Sequence, residues 1–106
     1  MYAVLIDKLV FKEDFKDIDK SGQLKIIKAI RKKLTTNPEL YGQPLKRDLQ
    51  GLWKLRVGQY RVVYRIEKDK ILVYVVKVGF RRDEEAYKET IKRLRQLKGQ
   101  RQIERI

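Results

Sequence analysis

The sequence predicts an α+β fold: a helical hairpin packed on one face of a small, largely antiparallel four-stranded sheet, in the order β-α-α-β-β-β-α. Three observations predict it. Three β-rich runs between Leu52 and Val78 are joined by connections of two or three residues, which force antiparallel neighbours. Between Phe11 and Leu34, apolar residues recur at helical spacing across one interruption, Ser21-Gly22. A last amphipathic stretch follows the strands. At 106 residues the chain has the length of a single domain, residues 1–106.

Taken in order, Tyr2–Ile6 is rich in β-formers and reads as the first strand. In the following "LVFKEDFKDIDKSG", Phe11, Phe15 and Ile18 share one helical face. Ser21 is placed to cap the second helix, "QLKIIKAIRKKL", whose Ile27, Ile30 and Leu34 form a stripe that Ile26 widens. Pro38 lies beyond its end at Thr36-Asn37. "NPELYGQPLKRDLQG" holds both prolines and two glycines and reads as a loop. The strands Leu52–Val57, Tyr60–Glu67 and Ile71–Val78 come next, joined by Gly58-Gln59 and Lys68-Asp69-Lys70. A final helix is expected from about Asp83 to Lys98, closed by Gly99, with residues 99–106 as a charged tail.

Composition narrows the chemistry. With 27 Lys+Arg against 14 Asp+Glu, the chain carries a net charge of +13, and its pI is near 10.1. Such an excess favours a polyanionic partner. The absence of cysteine excludes a disulfide framework, a thiolate zinc site and a cysteine nucleophile; the absence of histidine removes the commonest metal ligand and general base. No metal and no cofactor are therefore expected. The N-terminal "MYAVLIDKLVF" has an apolar run of only five residues and no basic lead-in, so it does not read as a signal peptide. Nothing approaches the length of a membrane span, and a cytoplasmic protein without a membrane partner is expected.

Side chains alternate across a strand, so parity assigns them to faces. Trp53, Leu55 and Val57 share one face with Tyr60, Val62, Tyr64 and Ile66. Leu72, Tyr74, Val76 and Val78 form the corresponding face of the third strand. The apolar faces must meet the helices. The opposite surface then gathers Lys54, Arg56, Arg61, Arg65, Lys77 and, if the chain stays extended, Arg81, on a side the helices do not cover. Adjacent cations repel, and acidic residues are almost absent between Leu49 and Arg82, so a functional anion site competes here with a merely solvated face. The predominance of arginine suits phosphate oxygens.

RNA cleavage of the 2′-hydroxyl type needs a base, cations for the pentacoordinate phosphate and an acid for the leaving oxygen. A lysine among arginines has its charged form disfavoured by repulsion, which singles out Lys54 as the candidate base. On the last helix, Tyr87, Ile91 and Leu94 recur at i, i+4, i+7. Tyr87 thus reads either as a half-buried anchor or, being close after Arg81-Arg82, as a ring on which a base can stack. Trp53 reads as core.

The segment "LQGLWKLRVGQYRVVYRIEKDKILVYVVKVGFRRDEEAY" closely resembles the RelE branch of the RelE/ParE toxin superfamily, and the order of elements resembles that family over nearly the whole chain. The signature is the W-K-L-R-x-G-x-Y-R-V-x-Y hairpin, then V-x-V-G-x-R, then a tyrosine six residues after that arginine. The resemblance implies the toxin of a type II toxin–antitoxin pair, a ribosome-dependent mRNA endoribonuclease acting in the A site by 2′-hydroxyl attack without a metal. By position it implies catalytic roles for four residues: Lys54 as general base, Arg61 as transition-state stabiliser, Arg81 as general acid and Tyr87 as the ring that orients the substrate. Arg56 falls at a family cation that assists phosphate binding, and Arg65, Lys77 and Arg82 complete the expected RNA-binding set. The implied partners are the ribosome, mRNA and a cognate antitoxin, acidic and partly disordered when free. There are two departures: Leu52 stands where cleaving members can carry a second lysine, and Phe80 where some relatives have a histidine. Two alternatives remain, a ParE-like inhibitor of DNA gyrase and a non-catalytic RNA- or ribosome-binding homologue.

Overall fold

The computed structural model describes residues 1–82, 85–97 and 103–105. Its sheet is built from β1 (Ala3–Asp7), β2 (Gln43–Pro44), β3 (Leu52–Val57), β4 (Tyr60–Glu67), β5 (Leu72–Phe80) and β6 (Ile103–Arg105), in the spatial order β2-β3-β4-β5-β1-β6. β1 runs parallel to β5 and every other pair is antiparallel. The mixed α+β class is as expected. The strand count is higher, because two very short strands border the four expected ones. One of them, β2, lies inside the proline-rich segment read as a loop. The other, β6, pairs with β1 and comes from the segment read as a charged tail. Asp83, Glu84, Lys98, Gly99 and the rest of that segment lie outside the described residues.

The first helix is shorter than its periodicity predicts. α1 (Lys8–Lys12) is capped by the Asp7 carboxylate, which accepts the Leu9 N–H at 2.9 Å. The chain then tightens into a 3₁₀ turn, Asp14–Asp17, and extends at Ile18. This break sends Phe15 and Ile18 into the core while Phe11 stays 39% exposed, edge-on to Phe15. α2 (Lys20–Ala29) is capped not by Ser21 but by Asp19, whose extended backbone lets its carboxylate accept the Gly22 N–H at 2.7 Å. Ser21 already lies within the first helical turn. α2 continues as a wider π turn, Ile30–Leu34, and buries Ile26, Ile30 and Leu34. A single turn, α3 (Pro38–Tyr41), leads towards β2.

These helical segments cover one sheet face, and the main core lies between them: Val4 and Ile6 of β1, Leu55 of β3, Val62 and Tyr64 of β4, and Val73, Val75 and Val78 of β5. The strict alternation expected along the last strand fails at one point. Val63 pairs with Lys77 but Tyr64 pairs with Val75, so Val76 is the extra residue of a β-bulge. Val73 and Val75 thereby join Val78 on the helix face, and Leu72 and Tyr74 turn to the other.

That other face is not bare. α4 (Glu85–Leu97) contacts β5 and the 3₁₀ turn Arg47–Leu49. Leu52, Val63, Tyr74 and Val76 are buried although they stand outside the main core. They form a second, thinner apolar layer, and the expectation that no helix covers the cationic face is corrected. None of the described helices is long and apolar enough to cross a membrane.

Candidate nucleic-acid interface

The site grows out of the turn between β3 and β4. Gly58 takes φ +60°, a left-handed conformation that glycine reaches without strain, and the two strands return in register with Arg56 directly opposite Arg61. Arg61 is in turn opposite Gly79 of β5. The chain leaving β5 folds back on the turn: the Arg81 N–H donates to the Gln59 carbonyl at 2.8 Å, and the Arg81 guanidinium donates to the Gly58 carbonyl at 3.4 Å. Arg61 donates from Nη2 to the Arg81 carbonyl. These bonds lock the hairpin tip and the end of β5 into one unit.

Around that unit is a cavity of about 720 Å³ lined by Arg56, Gln59, Arg61, Phe80, Arg81 and Arg82. Among the described lining residues four of six are arginines and none is acidic, a lining that suits an anion. The Arg61 Nη1 is buried and has no hydrogen-bond partner among the described residues. A buried, unpaired guanidinium nitrogen is costly, and an oxyanion in the cavity would relieve it. From above, the Tyr87 ring lies 4.6 Å from the Arg61 Cζ, which fixes the guanidinium plane by a cation–π contact. Lys54 is half-buried on the same face, two residues before Arg56, and opposite Val63.

The structure thus brings Arg56, Arg61, Arg81, Arg82 and Tyr87 together, with Lys54 on the adjoining stretch of β3. It takes two expected cations elsewhere. Lys77 does face the same side, but its Nζ lies 2.8 Å from the Asp14 carboxylate in an internal ion pair that Arg93 shares, so the ammonium is engaged there and not in the cavity. Arg65 pairs with Glu67 at 3.3 Å and lies against the Tyr74 ring at 5.7 Å. Leu52, where cleaving relatives can carry a lysine, is only 4% exposed. A leucine there adds to the apolar layer, and an unpaired ammonium would be expelled from it. Trp53, half-buried, packs on the edge of the main core as expected.

Two groups were missed. Gln59 and Phe80 line the cavity, the latter 5.4 Å from the Tyr60 ring. Asp14 and Arg93 are both buried and bound to each other, as described below. The sequence does carry a signal for the second pair. Asp14 sits one turn after Val10 and one before Ile18, and Arg93 immediately precedes Leu94 of the α4 stripe. Charges so placed along apolar stripes imply a buried partner.

A model of the family described as "ParE toxin of type II toxin-antitoxin system, parDE" matches residues 8–85. Among curated relatives, Toxin RelG of Mycobacterium tuberculosis is 38% identical over 50 residues, 47% of this chain and 58% of that protein. The mRNA interferase toxin RelE of Escherichia coli is 44% identical over 41 residues, 39% of this chain and 43% of that protein. The chain thus spans about half the length of the curated relatives it matches. Among solved structures, the toxin–antitoxin complex RelBE2 of M. tuberculosis contains a chain that superposes with a TM-score of 0.71 at 27% identity, covering 77% of this chain and 93% of that one. A mutant of E. coli RelE in the free state gives a TM-score of 0.65 at 27% identity, covering 88% and 97%.

Proposed function

Since the chain belongs to the ParE toxin family of type II toxin–antitoxin systems, within the RelE/ParE superfamily, we propose that it is the toxin of such a pair and acts as a ribosome-dependent mRNA endoribonuclease. The observation that carries this reading is the buried Arg61 Nη1, without a partner among the described residues, at the wall of an arginine-rich cavity, under the ring of Tyr87. A phosphodiester supplies the oxygens that such a cavity lacks, and a neighbouring base supplies a face for the tyrosine.

The proposed chemistry needs no metal, because arginines supply the positive charge. Lys54, as the base, takes the proton of the 2′-hydroxyl, and the 2′-oxygen attacks the adjacent phosphorus. Arg61 and Arg56 hold the non-bridging oxygens as negative charge accumulates on them. The bond to the 5′-oxygen breaks, and Arg81 delivers a proton to that leaving group. The products are a 2′,3′-cyclic phosphate and a 5′-hydroxyl. Arg82, exposed beside the cavity, contributes to holding the strand. The proposed partners are the ribosome, its mRNA and an acidic cognate antitoxin. The chain's net charge of +13 suits all three.

The family description names ParE, which keeps one second reading, the ParE-like inhibition of DNA gyrase raised by the sequence resemblance. One experiment separates the two. Primer extension on mRNA from an in vitro translation reaction is compared with and without the purified protein. Cuts confined to translated codons, absent from naked RNA, support the nuclease. An unchanged map accompanied by gyrase inhibition in a supercoiling assay overturns it in favour of the second reading.

A further inference from the structure

We infer that the buried Asp14–Arg93 pair is a positioning device for the candidate site: it fixes α4 so that Tyr87 is held on Arg61. The inference rests on the nuclease reading for its catalytic consequence but not for its structural one.

β1 ends its pairing opposite Val75, so beyond that point β5 has an open edge on the β1 side. The Asp14 carboxylate closes it. Its Oδ2 accepts the Val78 N–H at 2.8 Å and an Arg93 Nη1 hydrogen at 2.8 Å, and its Oδ1 accepts from Lys77 at 2.8 Å and from Arg93 Nη2 at 2.5 Å. Arg93 also donates to the carbonyl of the bulge residue Val76 at 3.1 Å. The carboxylate is saturated, and the two side chains are 0% and 5% exposed.

The pair joins an element on one sheet face, the 3₁₀ turn after α1, to the helix on the other. Tyr87 lies six residues before Arg93 on α4, about 9 Å along the axis, and it meets the Arg61 guanidinium. Other side chains of α4 dock as well: Thr90, between the two anchors, is fully buried. Ile91 and Leu94 are only half-buried, and apolar contact of that kind tolerates sliding and rotation. A two-pronged guanidinium–carboxylate contact does not tolerate them, because its two parallel bonds fix direction as well as distance. The bulge at Val76 has a place in the same device, since it offers the carbonyl that Arg93 takes. Asp14 and Arg93 touch no part of the cavity, so both are positioning residues and act through Tyr87.

The test compares Asp14→Asn, Arg93→Gln, Arg93→Lys and Tyr87→Ala, alone and with Arg93→Gln and Tyr87→Ala combined. Two readouts are used: backbone hydrogen exchange of the whole chain, and single-turnover cleavage of ribosome-bound mRNA. Asp14→Asn and Arg93→Gln are expected to speed exchange in residues 85–97 at least tenfold while β3 and β4 exchange as in the wild type. Each should slow cleavage by the same factor as Tyr87→Ala. The combined variant should be no slower than Tyr87→Ala alone, because both changes remove one function. Arg93→Lys, which keeps the charge but not the fork, should fall between. Multiplying losses in the combined variant, or unchanged α4 exchange, would overturn the inference. If Asp14→Asn fails to fold, Arg93→Lys and Arg93→Gln still decide it. If the wild type cleaves nothing, the nuclease reading fails, and the exchange data still show whether the pair fixes α4.

Discussion

The Tyr87 ring lies over the Arg61 guanidinium at 4.6 Å, placing a residue of the last helix and one of the central hairpin in a single stack. The stack takes the face of the guanidinium and leaves its Nη1, which has no partner among the described residues, turned to the cavity. Tyr87→Phe preserves the face and should leave cleavage within about threefold of wild type. Tyr87→Ala removes it and should cost about tenfold, as for a desolvated cation–π contact of about 1–2 kcal/mol. Single-turnover rates measured on the ribosome check both. Equal losses in the two variants would mean that the hydroxyl, not the ring, matters.

Arg61→Lys tests what the fork contributes. The guanidinium spends one nitrogen on the Arg81 carbonyl and keeps another for the cavity, which a lysine ammonium at that depth cannot reproduce with the same geometry. The expected loss is roughly 10²–10³-fold in the rate of cleavage, the range for removing one preorganised transition-state donor. Far-ultraviolet circular dichroism of the variant should match wild type.

Binding of a short single-stranded RNA should fall steeply with salt. Arg56→Gln and Arg82→Gln should each lower the slope of log K against log[salt] by about 0.7, the increment for one phosphate contact on a single strand. Lys77→Gln should leave the slope unchanged, because that ammonium is already paired with Asp14. An equal drop for Lys77→Gln would mean that RNA competes Lys77 away from the carboxylate.

How much of this was legible depended on whether the information was local. The hairpin strands Leu52–Val57 and Tyr60–Glu67 have the bounds the sequence predicts, because alternation and a two-residue turn specify them. Parity also places Lys54, Arg56, Arg61 and Arg65 on one face correctly. It fails on β5, where a single bulge at Val76 reverses every side chain before it, and no short-range pattern announces such an insertion. The fate of Lys77 is decided by Asp14, 63 residues earlier in the chain, which strand-by-strand reading does not connect. Likewise, Ser21 is an acceptable cap by composition, but the backbone enters the helix at Asp19, and the cap goes to the residue at the entry.

The last prediction concerns pH and Tyr64. This ring is fully buried, and its hydroxyl donates to the Pro38 carbonyl at 2.6 Å, tying β4 to the segment that carries α3. Burial pushes its pKa well above the ordinary tyrosine value, since the phenolate would be left without water. The sign follows. A group whose pKa is raised on folding contributes full stability below its unfolded pKa, near 10, and loses that contribution as pH climbs towards the folded value. Urea unfolding of the wild type should therefore weaken progressively above about pH 10. Tyr64→Phe should be about 1 kcal/mol less stable at neutral pH, through the lost hydrogen bond, and should show a shallower alkaline decline. The difference between the two proteins isolates this ring from the other tyrosines. Gly42→Ala attacks the same contact from the opposite side: a Cβ there would stand 1.7 Å from the Tyr64 hydroxyl, so the ring or the backbone must move. Because the Gly42 backbone is extended, with φ −99° and ψ 175°, any loss of stability reports the collision and not a backbone preference. Combining Gly42→Ala with Tyr64→Phe should recover part of it, because the hydroxyl oxygen is the nearest obstacle.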